Sequence, residues 1–324
     1  MQKNPHSPEG PALGVAVVVF RPQDTPGGKR VNRNGAGNAF STDSGPGATG
    51  RIGAILRRLW LRSGARTGDH VLWQARAARH GNWAVFDPRD PDAVARAARG
   101  CDTILCLAGV TPTRAARGAA MADNVRLGLA AVRGGAAAGA RVLLASSAAV
   151  YGGGQGLLAE TVPPAPLSDY GRAKAEMEHR AIALGAELGV SVTCLRIGNV
   201  AGADAILGDW RPGFRLDRFA DGRTPRRSYV GPATLARVLK DLAAASDLPP
   251  VLNVAAPGSV EMGALLDAAG LAWTPRPAPE DAIARVQLDV SALERFTSFA
   301  PRDSLPRTMV AEWRELACLE TYIS

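Results

Sequence analysis

Cysteine is scarce. The four in 324 residues, at 101, 106, 194 and 318, lie far apart, with no Cys-x-x-Cys and no adjoining histidine cluster. That pattern excludes a disulfide-stapled scaffold and gives no metal site to expect. Cys101, Cys106 and Cys194 fall in apolar, strand-like runs and read as reduced core residues. Lysine is as rare: only Lys3, Lys29, Lys174 and Lys240 stand among 38 basic residues, so the formal net charge of +8 is an excess of arginine. The arginines are scattered and form no dense run, and aromatics make up 5% of the chain. A nucleic-acid groove needs basic residues interleaved with stacking aromatics, so this composition argues against one. The charge reads either as compositional bias or as a surface that attracts phosphorylated cofactors and substrates. No run reaches the ~18 apolar residues of a membrane span. The stretch 13–20 is short and lacks a small-residue cleavage site, so a cytoplasmic protein is expected.

What is present is alternation. An apolar fraction of 46% and a charged fraction of 21% are those of an ordinary globular chain. Residues 1–44 differ from the rest, being rich in Gly, Pro, Asn and Ser with one strand-like island at 15–20. They are expected to form an atypical, poorly ordered amino-terminal segment. Beyond them, helical patterns at 52–61, 91–99, 121–138 and 170–188 interleave with short apolar runs at 71–73, 83–86, 103–107, 142–145 and 192–197. Short apolar strands without strict alternation, separated by helices, predict a doubly wound α/β fold with a parallel, Rossmann-like sheet. Residues 45–202 are expected to form this dinucleotide-binding domain. Residues 203–324, with prolines and shorter elements, read as a smaller substrate-binding lobe partly interleaved with the first.

Gly47-Ala-Thr-Gly50-Arg51-Ile52-Gly53 opens the first helix. Glycines at this spacing allow a tight turn and close approach of backbone N–H groups to a pyrophosphate. A strand should run straight into Gly47, yet 39–46 is polar and carries Gly45 and Pro46. Three explanations stand open: a poor strand at 40–43, the 15–20 strand followed by a long insertion, or an amino-terminal sequence that differs from the natural one. The second strand ends toward Arg76 and Arg79 with no acid, which favours a ribose 2′-phosphate, hence NADP over NAD. Asp87, past the third strand, reads as an acceptor for an adenine amino group or as a turn cap.

The most specific signal is Tyr170-Gly-Arg-Ala-Lys174. Positions i and i+4 share a helix face, so phenol and ammonium point into one cavity. A cation there is expected to lower the phenol toward a working general acid/base. Ser147 ends an apolar strand ahead of the glycines at 152–154, where its hydroxyl can hold the oxygen of a reacting alcohol or carbonyl.

Taken together, these residues resemble the extended short-chain dehydrogenase/reductase family, also called the NAD-dependent epimerase/dehydratase family. Gly47, Gly50 and Gly53 match its glycine motif; Leu105-Cys-Leu107-Ala108-Gly109 looks like its strand-four motif; Asn124 resembles its helix asparagine. Ser147 falls in its Ser-x-x-Val-Tyr-Gly, and Leu195-Arg196-Ile-Gly-Asn199-Val-Ala-Gly202 is similar to its Leu-Arg-x-x-Asn-x-x-Gly. The resemblance implies a cofactor set of Gly47, Gly50, Arg51, Ile52, Gly53, Arg76, Asp87, Leu107, Ala108, Gly109, Tyr170 and Lys174. It implies substrate contacts from Asn124, Asn199 and Arg227, the last looking like the arginine that holds a nucleotide-sugar diphosphate. Ser147, Tyr170 and Lys174 would be catalytic, with NAD(P) as cofactor. Ala148 and Ala149 stand where sugar dehydratases of the family carry an Asp-Glu pair, which argues against dehydration. The implied activity is 4-epimerisation of a nucleotide sugar; the alternatives are reduction of a small carbonyl by NADP(H) and non-catalytic dinucleotide binding. The long helix from Tyr170 reads as a homodimer face.

Overall fold

A computed structural model describes residues 17–20, 50–62, 71–76, 83–154 and 156–321. The segment 1–44, whose poor order was expected, lies outside the described residues apart from β1 (Val17–Phe20). The main sheet has seven strands. In spatial order they are β12 (Val251–Val254), β7 (Val192–Ile197), β5 (Arg141–Ser147), β4 (Thr103–Cys106), β1, β2 (Val71–Ala75) and β3 (Trp83–Val85). Apolar runs buried on both faces give these strands their parallel pairing. Along β5 the side chains alternate: Leu143 and Ala145 join one core with α1 (Arg51–Arg62) and α6 (Pro232–Ala244). Val142 and Leu144 join the other, with α2 (Pro91–Ala98), α4 (Asp123–Ala138) and α5 (Asp169–Leu188). Two cores on opposite faces make the doubly wound architecture.

One strand departs from the parallel pattern. β1 occupies the central slot between β4 and β2 but pairs antiparallel with both. Val17 lies opposite Cys106 and Phe20 opposite Thr103, so the chain leaves β1 at the sheet edge where β4 begins. The helix α1 starts at the other edge, with Arg51 bonded to Ala203 and Asp209, which follow β7. A tight strand-to-helix turn is therefore geometrically closed to β1, and residues 21–49 intervene. The strand expected at 40–43 lies outside the described residues.

Helix ends follow local chemistry. Asp90 caps α2, its carboxylate accepting from the N–H groups of Asp92 and Ala93, with Pro91 in the first turn. Ser168 caps α5 by accepting from Gly171 N. The later half of the chain contributes to both regions: β12 extends the main sheet, and α6 packs on α1, where Trp60 donates to Ala236 O at 3.1 Å. The remaining short strands form small sheets. β13 (Val260–Glu261), β10 (Arg226–Arg227), β15 (Arg285–Leu288) and β6 (Leu157–Leu158) make one. β11 (Tyr229–Val230) with β8 (Asn199–Val200), and β14 (Thr274–Pro277) with β9 (Arg215–Arg218), make two more. The carboxyl-terminal helix α8 (Pro306–Thr321) has no counterpart in the sequence expectation. Its Glu312 caps α6, accepting from Ala233 N at 2.8 Å and Thr234 N at 3.0 Å.

Candidate active site

Ser147 ends β5 and Tyr170 opens α5, close enough that the Ser147 hydroxyl acts on the Tyr170 phenol. The turn between them is tight. Gly152 has φ +59°, and a Cβ there would collide with the Ala165 carbonyl oxygen, so only glycine lets the loop fold back onto the start of α5. Ser147 Oγ also accepts from Ala149 N at 3.2 Å, which fixes its rotamer. One turn along α5, Lys174 is 3% exposed; its ammonium donates to Ala145 O at 2.7 Å and lies 5.9 Å from the Tyr170 ring centroid.

The electrostatics correct one expectation. The phenol is not lowered: burial raises Tyr170, and the neighbouring Ser147 hydroxyl is what opposes it. The Lys174 ammonium is spent on a backbone carbonyl, 5.9 Å from the ring centroid, and it is burial and Ser147 that move the phenol. Burial instead pulls Lys174 itself down to about 8, with Cys106, Cys194 and Glu178 opposing.

Leu107, Ala108 and Gly109 follow β4, beside Lys174. A Cβ on Gly109 would lie 3.1 Å from Lys174 Nζ and 2.8 Å from Asn124 Oδ1. Asn124 is fully buried and spends its amide on backbone: Val110 N donates to it at 3.1 Å, and it donates to Val110 O at 3.0 Å and Met121 O at 3.1 Å. It braces the loop after β4 and faces inward, against its expected place on a substrate.

Gly50 O accepts from Ala54 N, so Gly50 caps α1, with Arg51, Ile52 and Gly53 in its first turn. That turn carries no acid. Gly47 and Arg79 lie outside the described residues. Arg76, just past β2, keeps its Nε and Nη2 buried without a hydrogen-bond partner among the described residues. Burial holds its guanidinium below the usual arginine range, Asp87 opposing and Arg89 adding to the depression. Arg114, from the short helix α3 (Pro112–Ala115), is also lowered by burial and then by Arg76, so two cations approach here. Asp87 is turned to Arg89, accepting from its Nη2 at 2.6 Å and its backbone N at 3.0 Å; the Arg89 side chain holds the carboxyl below its ordinary range. The turn-cap reading of Asp87 is the one its bonds describe.

Asn199 pairs with Tyr229 across β8 and β11, and the Tyr229 hydroxyl donates to Asp204 at 2.7 Å. Arg227 is half-buried and donates to two backbone carbonyls, Arg226 O at 2.7 Å and Ile283 O at 2.9 Å. These bonds tie neither residue to the Ser147–Tyr170 pair. Sequence reading also passed over a buried cluster behind the site, Ser146, Glu178, Arg196 and Tyr151, where Arg196 forks onto Glu178 at 2.8–3.1 Å. The one available signal was the Arg196 of an otherwise apolar strand.

Solved structures share this fold. MoeE5, described in complex with UDP-glucuronic acid and NAD, is 23% identical with a TM-score of 0.63 over 83% of this chain and 97% of its own. DesIV, a dTDP-glucose 4,6-dehydratase from Streptomyces venezuelae with NAD bound, is 22% identical with a TM-score of 0.65 over 85% and 97%. A UDP-glucose 4-epimerase from Thermus thermophilus, in complex with NAD, is 21% identical with a TM-score of 0.59 over 82% and 96%. A search of the curated proteins gave no match. A family profile for the NAD dependent epimerase/dehydratase family matches residues 46–215, more than half of the chain. On that match, and with the doubly wound sheet behind it, the protein is an enzyme that belongs to the NAD-dependent epimerase/dehydratase family.

Proposed function

We propose that the protein is an NAD(P)-dependent epimerase or oxidoreductase acting on a nucleotide sugar in the manner of a 4-epimerase, with Ser147, Tyr170 and Lys174 as its catalytic group. One observation carries the reading: Ser147 ends β5 where α5 begins, and on the first turns of α5 the Lys174 ammonium lies 5.9 Å from the Tyr170 ring centroid, at the carboxyl edge of the parallel sheet. Ser147 orients the substrate oxygen, and Tyr170 passes a proton to it or takes one from it. Lys174 holds a positive charge at the site, an ammonium that is lost as pH rises through about 8. When bound, the dinucleotide supplies the hydride acceptor and donor.

The residues present fit such a group. The first turn of α1, with Gly50, Arg51, Ile52 and Gly53, carries no acid and offers N–H groups to a pyrophosphate, Gly47 lying just upstream. Leu107, Ala108 and Gly109 border the nicotinamide side, with Gly109 leaving room beside Lys174. Arg76 has two buried donors without partners among the described residues and Arg114 close by, which suits the oxygens of a 2′-phosphate and favours NADP over NAD. Asn199 and Arg227 stand on the substrate side in this reading, and Asn124 braces the loop after β4.

A second reading, reduction of a small carbonyl, draws on Arg227. Its guanidinium is engaged by two carbonyl oxygens, and Gly231 and Pro232 follow where the family usually carries His and Asp. Absorbance at the reduced-nicotinamide band separates the two. An epimerase converts a nucleotide sugar with no net change of the band, whereas a reductase consumes NADPH in proportion to carbonyl. Conversion of neither class contradicts both readings. Two copies are proposed to pair along α5, over the groove that Arg126 and Leu129 of α4 form with Arg172 and Glu176; sedimentation as a monomer would refute this. The buried thiols of Cys106 and Cys194 suit a reducing, cytoplasmic setting.

A further inference from the structure

Behind the Ser147–Tyr170 pair lies an ion pair that the chemistry above does not use. Glu178 follows Lys174 by one turn of α5, so Tyr170, Lys174 and Glu178 share a face. Glu178 and Arg196 are each 3% exposed. Arg196 Nε donates to both carboxylate oxygens at 3.1 Å, its Nη2 donates to Oε2 at 2.8 Å, and Ser146 Oγ donates to Oε1. The other end of the guanidinium lies 4.7 Å from the Tyr151 ring centroid and donates to Tyr151 Oη at 2.8 Å. Tyr151 Oη donates on to Asn253 Oδ1 at 2.9 Å. The network thus joins α5 to β5, β7 and β12, and it passes through Ser146, the neighbour of Ser147.

Burying two charges is costly, and apolar residues of similar volume would pack the same space at least as well. Its position offers a reason. We propose that Glu178 is a positioning residue for the Tyr170–Lys174 pair, its carboxylate pinning α5 against β5 and β7 and keeping negative charge one turn behind the Lys174 ammonium. The inference rests on the catalytic reading of Tyr170 and Lys174, and it names a residue that touches neither substrate nor cofactor. The groups around Lys174 are few. Tyr170 and Glu178 flank it on α5, Cys106 faces it from β4, and Cys194 and Arg196 lie on β7. Both thiols are pushed up by burial and stay neutral near pH 8. Among the described residues, that leaves Glu178 as the anion that supports the ammonium.

Four lysines make the test direct. Lysine labelled with 13C at Cε gives four resonances, and Lys174→Arg identifies the one from the site. In the full-length protein, Glu178→Gln keeps the shape and removes the charge. The Lys174 titration midpoint is expected to fall by about one pH unit, a tenfold loss of ammonium at a given pH. The alkaline limb of kcat is expected to move with it, while KM for the cofactor changes little. Should Glu178→Gln fail to fold, Glu178→Gln/Arg196→Met leaves no unpaired buried charge, and a shift of about half that size is expected in the same direction. An unmoved Lys174 midpoint in whichever folded variant is measured overturns the proposal. The titration needs no substrate, so a protein that titrates as expected but turns nothing over would instead refute the catalytic reading.

Discussion

Two ends of the same sheet handle their polar side chains differently. Around the end of β5 the polar groups answer one another: Ser147 with Ala149 N, Lys174 with Ala145 O, Ser146 and Arg196 with Glu178. At the end of β2, Gln74 is 1% exposed, yet among the described residues its Oε1 has no partner, and neither do Nε and Nη2 of Arg76. Buried donors and acceptors left unmade are expensive, so native proteins keep few of them. The contrast teaches that the β5 side is internally satisfied, whereas the β2 side holds polar atoms with no partner among the described residues, which is what the proposed 2′-phosphate contact draws on.

That contrast can be broken from its most rigid point. Arg196→Met strands the Glu178 carboxylate in the core, and loss of one partner from a buried pair costs about 3–5 kcal/mol. Urea unfolding should show that loss, and an unchanged midpoint would mean that the network contributes nothing to the rigidity of the site. On the other side, Arg76→Ala should leave stability nearly intact and weaken NADP binding about 10- to 100-fold, the worth of one or two charge-assisted hydrogen bonds. NAD should be little affected. Equal losses for the two cofactors, read by energy transfer from tryptophan to the nicotinamide, would remove the 2′-phosphate assignment. The smallest effect belongs to the rim. Arg51 and Asp209 pair at 2.6 Å but are 49% and 37% exposed, so Asp209→Asn should change stability by less than about 1 kcal/mol. A larger loss would make the contact between α1 and the loop after β8 part of the rigid half.

The same division decides what could be read from the sequence. Strands β4, β5 and β7 are short apolar runs bounded by helices, and their period announces a parallel sheet. Tyr170 and Lys174 stand four apart inside a capped helix, and Ser147 ends a strand, so their approach follows from helix and strand geometry alone. The direction of β1 does not follow, because Val-Val-Val-Phe is equally apolar read either way and only its partners orient it. The two-residue strands of the later half pair across long separations and have no period to show. Glu178 looked like one more charge on a helix rich in them; its burial depends on Arg196, which lies on another element. The inward turn of Asn124 and the engagement of Asp87 by Arg89 were hidden for the same reason. The expected lowering of the phenol failed because helical spacing brings Lys174 to the ring and leaves open where the ammonium points.

The central claim is that Tyr170 carries the proton at the substrate oxygen. Tyr170→Phe removes one oxygen from a half-buried ring and leaves Lys174, Gly109 and the α1 turn in place. On whichever nucleotide sugar or carbonyl the native protein converts, this variant should lose at least ~100-fold in kcat, the range of a positioned general acid/base. It should bind NADP with an affinity within a few-fold of the native protein. A Tyr170→Phe protein that binds cofactor normally and turns over at the native rate would contradict the account.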